Sequence, residues 1–467
     1  MKIKSRPKGV DMAENEGKTE SIGDLINKTG TGRFQRKLLL ICGLTWAFNA
    51  MEIMIIAFIL PALKFQWRLE PHEEGWISGS IFIGMLLGAW FWGMTSDYIG
   101  RKKTFAATVA IFSVFGFLGA FIPDNYIWLA AIRCAAGFGV GGMLPVASAL
   151  LSEFIPTKSR GKYLVFLESF WILGTLIAAG LAWYIIPKPD LGWRFLFMIA
   201  GAPIFMILFI YKFVPESPRY LILAKKEDKA KEIICKIADE NKVELDFDYI
   251  TPVRKTSRVS LSKLWHRKFV RITIMLWITW FFLTMANYGV LIWLPTYFYR
   301  TLQFSIDRIY SFIILSALGQ IPGYLLAVVL IDRIGRKKVT GIFILLSALF
   351  AYFFAISEDT TYLILSAALL NFSLAACWSG MYAYTPELYP TEARATGIGW
   401  ASGIGRMGAF IGPMLGALLM PISIYLTLTI FAVCFGIAGI SVLVLGVETR
   451  GKELADVVEQ NEEAPIL

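Results

Sequence analysis

The sequence is poor in charged residues and in histidine. Of its 467 residues, 17% are charged and two are histidine, whereas 56% are hydrophobic. A soluble domain has about 25% charged residues and about 45–50% apolar residues. The sequence also lacks a Gly-x-x-x-x-Gly-Lys-Ser/Thr phosphate loop, a His/Glu zinc cluster and a Ser/His/Asp arrangement. We therefore expect neither an ATP-driven pump nor an enzyme, and no catalytic residue, cofactor or metal.

Cysteine is also scarce, and the polar start of the sequence does not resemble a signal peptide. The five cysteines have no disulfide or zinc-ligand spacing. The residues up to about Asn27 are polar and lack the apolar core of a cleaved leader. We therefore expect the first apolar block to stay in the membrane.

The apolar residues are concentrated in long blocks. A helix needs about 20 apolar residues to cross a bilayer. Twelve blocks meet this length and predict an all-α membrane protein. The predicted spans are 38–62, 76–96, 104–122, 126–151, 163–186, 192–213, 270–294, 307–331, 339–357, 361–385, 396–419 and 422–446.

The positive charge is distributed in a way that indicates membrane topology. The formal net charge is +10, and the basic residues form short clusters between apolar blocks. The loops predicted on the opposite side hold only Lys64, Arg68, Lys188 and Arg300. The positive-inside rule then places both termini in the cytoplasm and leaves no basic domain for nucleic acid. The clusters are Arg33–Lys37, Arg101–Lys103, Lys158–Lys162, Lys225–Arg271, Arg333–Lys338 and Arg450–Lys452.

Three short motifs occur twice at nearly the same displacement along the chain. Asp97-Tyr-Ile-Gly-Arg-Lys-Lys103 recurs as Asp332-Arg-Ile-Gly-Arg-Lys-Lys338, and Glu153-Phe-Ile-Pro-Thr-Lys-Ser-Arg160 recurs as Glu387-Leu-Tyr-Pro-Thr-Glu-Ala-Arg394. Pro215-Glu-Ser217 has a weaker echo in Val447-Glu-Thr449. Such a repeat predicts two related six-helix bundles that flank a midplane substrate site.

The repeat also predicts the domain boundaries. We expect a cytoplasmic tail over 1–32, a first six-helix bundle over 33–214 and a cytoplasmic linker with short helices over 215–268. A second bundle is predicted over 269–447, followed by a cytoplasmic tail over 448–467. Within the linker, Ile233, Ile234 and Ile237 form one apolar stripe, which predicts a surface helix over 225–241.

The repeated loops combine acids, glycines and arginines in a pattern that predicts a cytoplasmic gate. A glycine allows a tight turn, and an acid at a helix end can reach the positive N-terminus of a helix in the other half. Arg101 and Arg336 are placed to pair with Glu153 and Glu387, in salt bridges that break when the halves rock. Basic residues that only set topology would need neither the acids nor the glycines. The predicted gate consists of Asp97, Gly100, Arg101, Glu153, Arg160, Glu216, Arg219, Asp332, Gly335, Arg336, Glu387, Arg394 and Glu448.

These motifs resemble the major facilitator superfamily over essentially the whole chain, from Arg33 to Asp456. The resemblance rests on the two Asp-x-x-Gly-Arg-Lys-Lys loops, on Pro215-Glu-Ser-Pro-Arg219 and on Glu448-Thr-Arg-Gly451. Sugar porters of this superfamily carry glutamine-rich motifs on the fifth and seventh helices, and this sequence lacks them. Their absence argues against a sugar substrate.

The closer resemblance is to niacin-type and aromatic-acid transporters and to organic anion and cation transporters. It is carried by Gly43-Leu-Thr-Trp-Ala-Phe-Asn-Ala-Met-Glu52, by Asn287-Tyr-Gly289 with Trp293-Leu-Pro295, and by Arg406-Met-Gly-Ala-Phe-Ile-Gly-Pro413. The sequence departs from the niacin-type pattern at Asn49, where that pattern has an acid. Glu52 is thus the one carboxyl on the first helix.

Several charged residues lie inside the predicted spans, where a charge costs about 2.5–3.5 kcal/mol even on the gentler scales. Glu52 is near the middle of the first span, and a dry cavity would favour its neutral form, as proton coupling requires. Its alternative role is that of a structural carboxyl. Arg133 fits the Arg-x-x-x-Gly-x-Gly pattern of the superfamily and would relay charge or hold an ion pair. Glu168 would contact Trp171 or face the cytoplasmic vestibule, and we group it with Glu52 and Arg133 as coupling residues.

Arg406 is the predicted anchor for the substrate. It lies at the centre of the eleventh span in a glycine-rich stretch, and a guanidinium can hold a carboxylate with two hydrogen bonds. In the organic anion transporters, the residue at this motif position is an arginine that binds the substrate, so the resemblance implies an anion. The alternative is a fixed ion pair between Arg406 and Glu52, which a substrate anion would displace.

Aromatic and amide side chains complete the predicted substrate site. Rings near the middle of cavity-forming helices can stack on a flat substrate, although each ring alone is more often packing. This predicted set consists of Trp46, Asn49, Trp171, Asn287, Tyr288 and Trp378.

These features together predict a secondary transporter that takes up a small organic anion, such as a nicotinate-like aromatic acid, together with protons. The alternatives are an organic cation or sugar transporter, by symport or uniport, and a non-transporting membrane protein of the same fold. The segment from Leu63 to Gly75 is short, whereas mammalian organic ion transporters have a large outer loop there. We therefore expect a lipid-embedded monomer in a prokaryotic plasma membrane.

Overall fold

The protein is described here by a computed structural model that covers residues 19–187, 192–251, 264–267, 269–300, 304–389 and 391–450. Within these residues, twelve helical stretches are long and apolar enough to cross a membrane. They match the twelve predicted blocks one for one and confirm the all-α membrane fold. The predicted tail residues 1–18 and 451–467 and the side chain of Arg394 lie outside the described residues.

The first bundle follows an N-terminal helix and contains six spans, the last of which is built from two α-helices joined by a 3₁₀ turn at Ala202–Phe205. Shorter 3₁₀ turns lie at Gly119–Phe121 and Thr157–Ser159. The helices are α1 (Ile22–Thr29), α2 (Arg33–Trp67), α3 (Pro71–Ile99), α4 (Arg101–Leu118), α5 (Tyr126–Glu153), α6 (Arg160–Ile185), α7 (Gly192–Ala200) and α8 (Met206–Phe213).

The described part of the linker includes two helices and one strand, and the second bundle again contains six spans. Its second span is two helices that meet at Gly319. The two strands are β1 (Thr19–Glu20) and β2 (Tyr249–Ile250). The helices are α9 (Pro218–Leu223), α10 (Glu227–Asn241), α11 (Val270–Arg300), α12 (Ile306–Leu318), α13 (Gln320–Ile334), α14 (Arg336–Ile356), α15 (Thr360–Glu387), α16 (Thr391–Leu419) and α17 (Ile424–Leu445).

The sequence repeat corresponds to a repeated turn. Gly100 separates α3 from α4 with φ 101°, and Gly335 separates α13 from α14 with φ 98°. Both values lie in the region that only glycine adopts without strain. The turns point two successive spans in opposite directions with almost no loop. We call the side of the molecule that carries these turns the repeat-loop face, and the other side the opposite face.

Glycines bring the spans into close contact in both bundles. In the first bundle, a Cβ at Gly84 would overlap the Cys134 carbonyl, so α3 and α5 cross with their backbones almost touching. In the second, a Cβ at Gly323 would overlap the Phe372 carbonyl at the corresponding crossing of α13 and α15. Small residues permit such approach in membranes, where apolar side chains alone give no drive for association. The pseudo-symmetry therefore extends to helix packing.

The two bundles meet near the opposite face. The Tyr310 hydroxyl of the second bundle donates a hydrogen bond to the Phe58 carbonyl oxygen of the first, at 3.2 Å. Nearby, the rings of Trp76 and Phe410 lie 5.7 Å apart. A cavity remains between the bundles on the repeat-loop side of these contacts.

The N-terminal segment and the linker form one assembly on the first bundle. Strands β1 and β2 pair in parallel, and α1 packs on α10. The Asn241 amide donates to the Thr29 carbonyl and to the Gln35 side chain, and the Asn27 side chain accepts a hydrogen bond from the Thr157 backbone. The predicted linker helix is present as α10, with Ile234 and Ile237 buried. The segment predicted as a separate tail thus packs on the linker and on α2.

Candidate functional site

A central cavity of about 610 Å³ lies between the two bundles. Six of the seven residues predicted to bind substrate line it, as does Glu168. It is bounded by residues of α2, α5 and α6 from the first bundle and of α11, α12/α13, α15 and α16 from the second. The lining residues are Trp46, Leu144, Glu168, Trp171, Trp280, Asn287, Tyr288, Leu291, Gln320, Tyr324, Asn371, Leu374, Ala375, Trp378, Tyr382 and Arg406.

Arg406 supplies positive charge to this cavity. It lies midway along α16 and only 7% of its surface is exposed. The helix is held there by Thr284, whose hydroxyl donates to the Gly405 carbonyl at 2.5 Å. The Nε atom of Arg406 is buried and has no hydrogen-bond partner. A buried cation with an open donor is costly unless an anion meets it, so the site suits a carboxylate.

Glu168 supplies the negative charge of the same cavity. It is 6% exposed, and its carboxyl interacts with the Tyr382 hydroxyl and with the charge of Arg406. The Trp46 indole also faces this carboxyl, but its Nε1 forms no hydrogen bond of normal geometry. Glu168 lines this cavity together with Trp171, and its predicted position toward a cytoplasmic vestibule stays a prediction. An acid of α6 and a base of α16 thus face each other across the two bundles.

Glu52 does not line the cavity, and the ion pair between Glu52 and Arg406 that was the alternative to substrate binding is not formed. Instead, Glu52 lies 3.8 Å from Arg133, and the side chains of both are at most 1% exposed. Arg133 also donates to the Glu52 backbone carbonyl at 3.0 Å. A helix turns about 100° per residue, so Glu52 is rotated about 120° from Trp46 on α2. The sequence pattern located the charge at the right depth but could not show which face of α2 meets the cavity.

Asn49 is likewise outside the cavity lining, contrary to its predicted role in substrate binding. Its side-chain amide donates to the Val140 carbonyl of α5 at 3.2 Å, and the residue is fully buried. The physical reason is the same as for Glu52. The residues on this face of α2 pack against α5, and an amide there satisfies a backbone carbonyl between helices.

Aromatic rings form one wall of the cavity. The rings of Trp280 and Trp378 lie 5.7 Å apart, and those of Trp378 and Tyr382 lie 5.9 Å apart. Trp171 of the first bundle lies 6.5 Å from Tyr288 of the second. The Trp378 indole also donates to the Asn287 side chain, at 3.4 Å. The faces of such rings can stack on a flat ligand in the cavity.

Nine lining residues were not predicted from the sequence, and five of them are polar or aromatic, namely Trp280, Gln320, Tyr324, Asn371 and Tyr382. Two of them could have been found from their spacing in the sequence relative to a predicted residue. Asn371 and Tyr382 lie seven residues before and four residues after Trp378, which places all three on one face of α15. Gln320 was an uncharged polar residue within an apolar block, and polar residues in such positions face the bundle interior.

A second cavity of about 420 Å³ lies toward the opposite face. It shares Trp171, Leu291, Gln320 and Asn371 with the central cavity, so these four residues form the wall between the two. The rest of its lining is mostly apolar and includes Met54, Phe58, Leu294, Pro295 and Ile313.

Each repeat loop contains an ion-pair network at the repeat-loop face. Arg101 lies 3.0 Å from Asp97 and 3.5 Å from Glu153. In the second bundle, Arg336 lies 3.4 Å from Asp332 and 3.2 Å from Glu387. Each of these pairs joins residues of the same bundle. The predicted reach of Asp97 and Asp332 to a helix of the other bundle stays a prediction.

Two further acids of the predicted gate cap helices. Glu216 accepts a hydrogen bond from the Lys102 backbone amide at 3.0 Å, at the start of α4. Glu448 accepts one from the Arg336 amide at 2.9 Å, at the start of α14. A carboxylate is stabilised at the positive end of the helix dipole. Arg160 donates to the Ser152 carbonyl at 3.1 Å, and the charge of Arg219 acts on Glu153.

Comparison with known proteins shows extensive similarity to transporters. A family model described as sugar (and other) transporter matches residues 47–460. A niacin transporter of Acinetobacter baylyi is 39% identical, with 92% of this chain and 98% of that protein covered. A putative niacin/nicotinamide transporter of Bacillus subtilis is 35% identical, with 90% and 98% covered.

The fold is also that of a transporter of known structure. The xylose transporter of E. coli, in a partially occluded inward open conformation, superposes with a TM-score of 0.75 at 19% identity, covering 90% of this chain and 99% of that one. The relatives confirm that the chain is a transporter and not an enzyme. By the family match, the relatives and the fold, the chain belongs to the sugar (and other) transporter family of the major facilitator superfamily.

Proposed function

We propose that the protein is a secondary active transporter that carries a small organic anion, a nicotinate-like aromatic monocarboxylate, together with protons. The observation that carries this proposal is the position of Arg406. A buried guanidinium with an unpartnered Nε faces a cavity formed by both bundles. In a transporter of two halves, such a midplane cavity is where the substrate binds.

The carboxylate of the substrate would bind Arg406. A guanidinium offers a planar pair of donors that matches the two oxygens of a carboxylate, and the low dielectric strengthens the pairing. Tyr288 lies within hydrogen-bond reach of Arg406 and would fix its orientation. An organic cation would meet Arg406 with like charge, which disfavours it.

The ring of the substrate would lie among the aromatic side chains. Trp171 and Tyr288 come from different bundles, so a flat ring that packs beside both of them contacts both halves at once. The names of the two relatives above, which refer to niacin and nicotinamide, support a substrate of this size and shape.

Proton coupling would follow from competition for Arg406. In the cavity, Arg406 places a positive charge near the carboxyl of Glu168. A substrate carboxylate that binds Arg406 removes this compensation, and a buried carboxylate without a cation favours protonation. Substrate and proton would therefore enter together. Glu52 is a second coupling candidate, because its carboxyl oxygens are buried beside Arg133 without a hydrogen bond.

Alternating access would exchange the side on which the cavity opens. The bundles would rock about the cavity, with the two networks around Arg101 and Arg336 holding each repeat-loop turn rigid and forming the gate. The repeat-loop face carries the basic clusters, so it would face the cytoplasm together with both termini. The transporter would act as a monomer in a prokaryotic plasma membrane.

The test is uptake of radiolabelled nicotinate into proteoliposomes with an inward proton gradient. We expect Arg406→Ala to lower uptake by at least about tenfold, since charge-assisted hydrogen bonds contribute about 1.5–3 kcal/mol each. Arg406→Lys should recover little, because an ammonium cannot form the paired contact.

The matched control is Arg308→Ala. Arg308 is an exposed arginine whose guanidinium donates to the Thr360 hydroxyl at 3.2 Å, away from the cavity. Nicotinate uptake by the Arg308→Ala variant should equal that of the wild type. Normal nicotinate uptake by Arg406→Ala would remove the proposed role of this residue, and wild-type uptake of organic cations in place of acids would refute the anion assignment.

A further inference from the structure

Two amide side chains form a hydrogen-bonded pair in the wall that both cavities share. Gln320 begins α13 and is 7% exposed, and Asn371 lies in α15 and is 5% exposed. The Gln320 Nε2 atom donates to the Asn371 Oδ1 atom at 2.9 Å. Both residues line the central cavity that contains Arg406. The pair is uncharged, so it adds polarity to the cavity without adding charge.

The orientation of both amides follows from the hydrogen-bond network. The Asn371 Nδ2 atom donates to the Ala367 carbonyl one helical turn earlier, at 3.0 Å. Asn371 must therefore turn its oxygen away from its own helix, and Gln320 must meet that oxygen with its nitrogen. This leaves one N–H and the Oε1 atom of Gln320 for another partner. Asn371 thus acts as a support that presents Gln320 in one orientation.

Neighbouring polar groups are less available. The Thr175 hydroxyl donates to the Trp171 carbonyl of its own helix, and the Ser316 hydroxyl donates to the Ile313 carbonyl of its own helix. Asn287 accepts from the Trp378 indole. In the wall that the two cavities share, Gln320 therefore offers both an N–H and a carbonyl oxygen to a ligand. A helix-packing role alone would not need an amide that borders open space on both sides.

We propose that Gln320, oriented by Asn371, binds a hydrogen-bonding atom at the uncharged end of the substrate. This inference rests on the proposed transport of an aromatic monocarboxylate. With the carboxylate on Arg406, a heteroatom in the ring accepts the free N–H of Gln320, whereas a carbocyclic ring offers no acceptor. The transporter then prefers heteroaromatic acids to their carbocyclic analogues.

The experiment compares nicotinate with benzoate, which has the same shape and charge but no ring nitrogen. In proteoliposomes, uptake of labelled nicotinate is competed with each acid. The wild type should prefer nicotinate by about tenfold, because benzoate has no ring acceptor and leaves the free N–H of the buried Gln320 amide without a partner. Gln320→Met keeps the side-chain volume and should remove that preference while retaining benzoate uptake.

Two further variants sharpen the result. Asn371→Ser frees Gln320 to rotate and should reduce the preference without abolishing it. Gln66→Leu is the matched control, since Gln66 accepts from the Trp193 indole at 2.9 Å, outside both cavities, and it should keep the wild-type ratio.

The outcomes distinguish this inference from the function on which it rests. An unchanged nicotinate-to-benzoate ratio in Gln320→Met, with uptake still dependent on Arg406, overturns the role of Gln320 and leaves the transport proposal intact. Loss of both acids in Gln320→Met at normal protein levels in the membrane also overturns it, because the amide then serves helix packing. Absence of any uptake of either acid by the wild type refutes the transport proposal itself.

Discussion

Glu52 and Glu168 are both buried carboxyls, but they face different cations in different surroundings. Glu168 shares the central cavity with Arg406, across the two bundles. Glu52 is enclosed within the first bundle beside Arg133. A pair across the bundles can be broken when they move or when a ligand enters, whereas a pair inside one bundle moves as a unit. The two acids therefore have separable roles in coupling.

This difference gives a prediction for the pH dependence of uptake. In Glu168→Gln, Arg406 no longer has a competing acid, so nicotinate should bind more tightly and its binding should lose its dependence on pH. In the wild type, lower pH protonates Glu168 and releases Arg406, so binding should strengthen as pH falls. Both effects can be measured by titrating nicotinate into detergent-solubilised protein between about pH 5 and pH 8, with tryptophan fluorescence as the signal.

The companion variant is Glu52→Gln. Counterflow should survive in it, because the cavity is unchanged, whereas accumulation driven by a proton gradient should be lost. Accumulation at the wild-type level would remove Glu52 from coupling. If nicotinate binding to the Glu168→Gln protein keeps the pH dependence of the wild type, Glu168 has no role in coupling.

At this scale the sequence predicted which charges matter but not how they pair. A charged residue inside an apolar block stands out in a single sequence, because burial of a charge is costly anywhere in a span. The residues recognised in this way are Glu52, Arg133, Glu168 and Arg406. Pairing depends on the rotation of each helix about its axis, which is set by contacts with other helices. Since α2 is apolar on nearly all sides, its pattern did not determine that rotation.

Glycines on α5 determine how closely that helix approaches α3. A Cβ at Gly141 would overlap the backbone of Met85, and one at Gly137 would overlap the backbone of Ile81. The contacted atoms are backbone atoms, which cannot turn aside as a flexible side chain can. By contrast, a Cβ at Gly180 of α6 meets no atom within 4 Å.

Single alanine substitutions should therefore have opposite effects. Gly141→Ala should destabilise the protein by about 1–3 kcal/mol, because α3 and α5 must separate. Gly180→Ala, the matched control, should leave stability unchanged or raise it, since alanine has the higher helix propensity. Thermal unfolding in detergent checks this, and equal melting temperatures for the two variants would contradict the packing argument.

The positions of the spans were predictable, but two interruptions within them were not. Apolar length is a strong signal, and for that reason all twelve blocks became spans. The block predicted over 307–331 is two helices that meet at Gly319, and the block over 192–213 contains a 3₁₀ turn. Hydropathy is continuous through both. The break at Gly319 lies at a close contact between helices, because a Cβ there would overlap the Ala368 carbonyl of α15. Such a contact is not visible in the hydropathy of the sequence.

The whole molecule is closed near the opposite face by contacts between small and flexible residues. Gly75 of α3 faces Ala417 of α16, and a Cβ added at Gly75 would lie 3.1 Å from the Ala417 Cβ. Rocking of the bundles would have to separate these residues to open the cavity on that side. The contact thus offers a place to lock the transporter in the conformation described here.

We predict that the pair Gly75→Cys and Ala417→Cys forms a disulfide under mild oxidation, since a small separation of α3 and α16 brings their Cβ atoms from 3.1 Å into the range of about 3.5–4.5 Å that disulfides have. Oxidised protein should lose nicotinate uptake, and a reducing agent should restore it. Each single variant and the wild type with its five free cysteines serve as controls. Normal uptake by fully cross-linked protein would show that transport does not require these residues to separate.

The pairing of Thr19 with Tyr249 has a consequence for the order in which the protein is made. Strand β1 leaves the ribosome before the first bundle, but its partner β2 follows only after the six spans of that bundle and α10. Until then the edge of β1 has no partner strand. Once Ile250 has been synthesised, the assembly of β1, α1, α10 and β2 can close on the first bundle. We therefore expect the first bundle to be joined to its linker before the second bundle is synthesised.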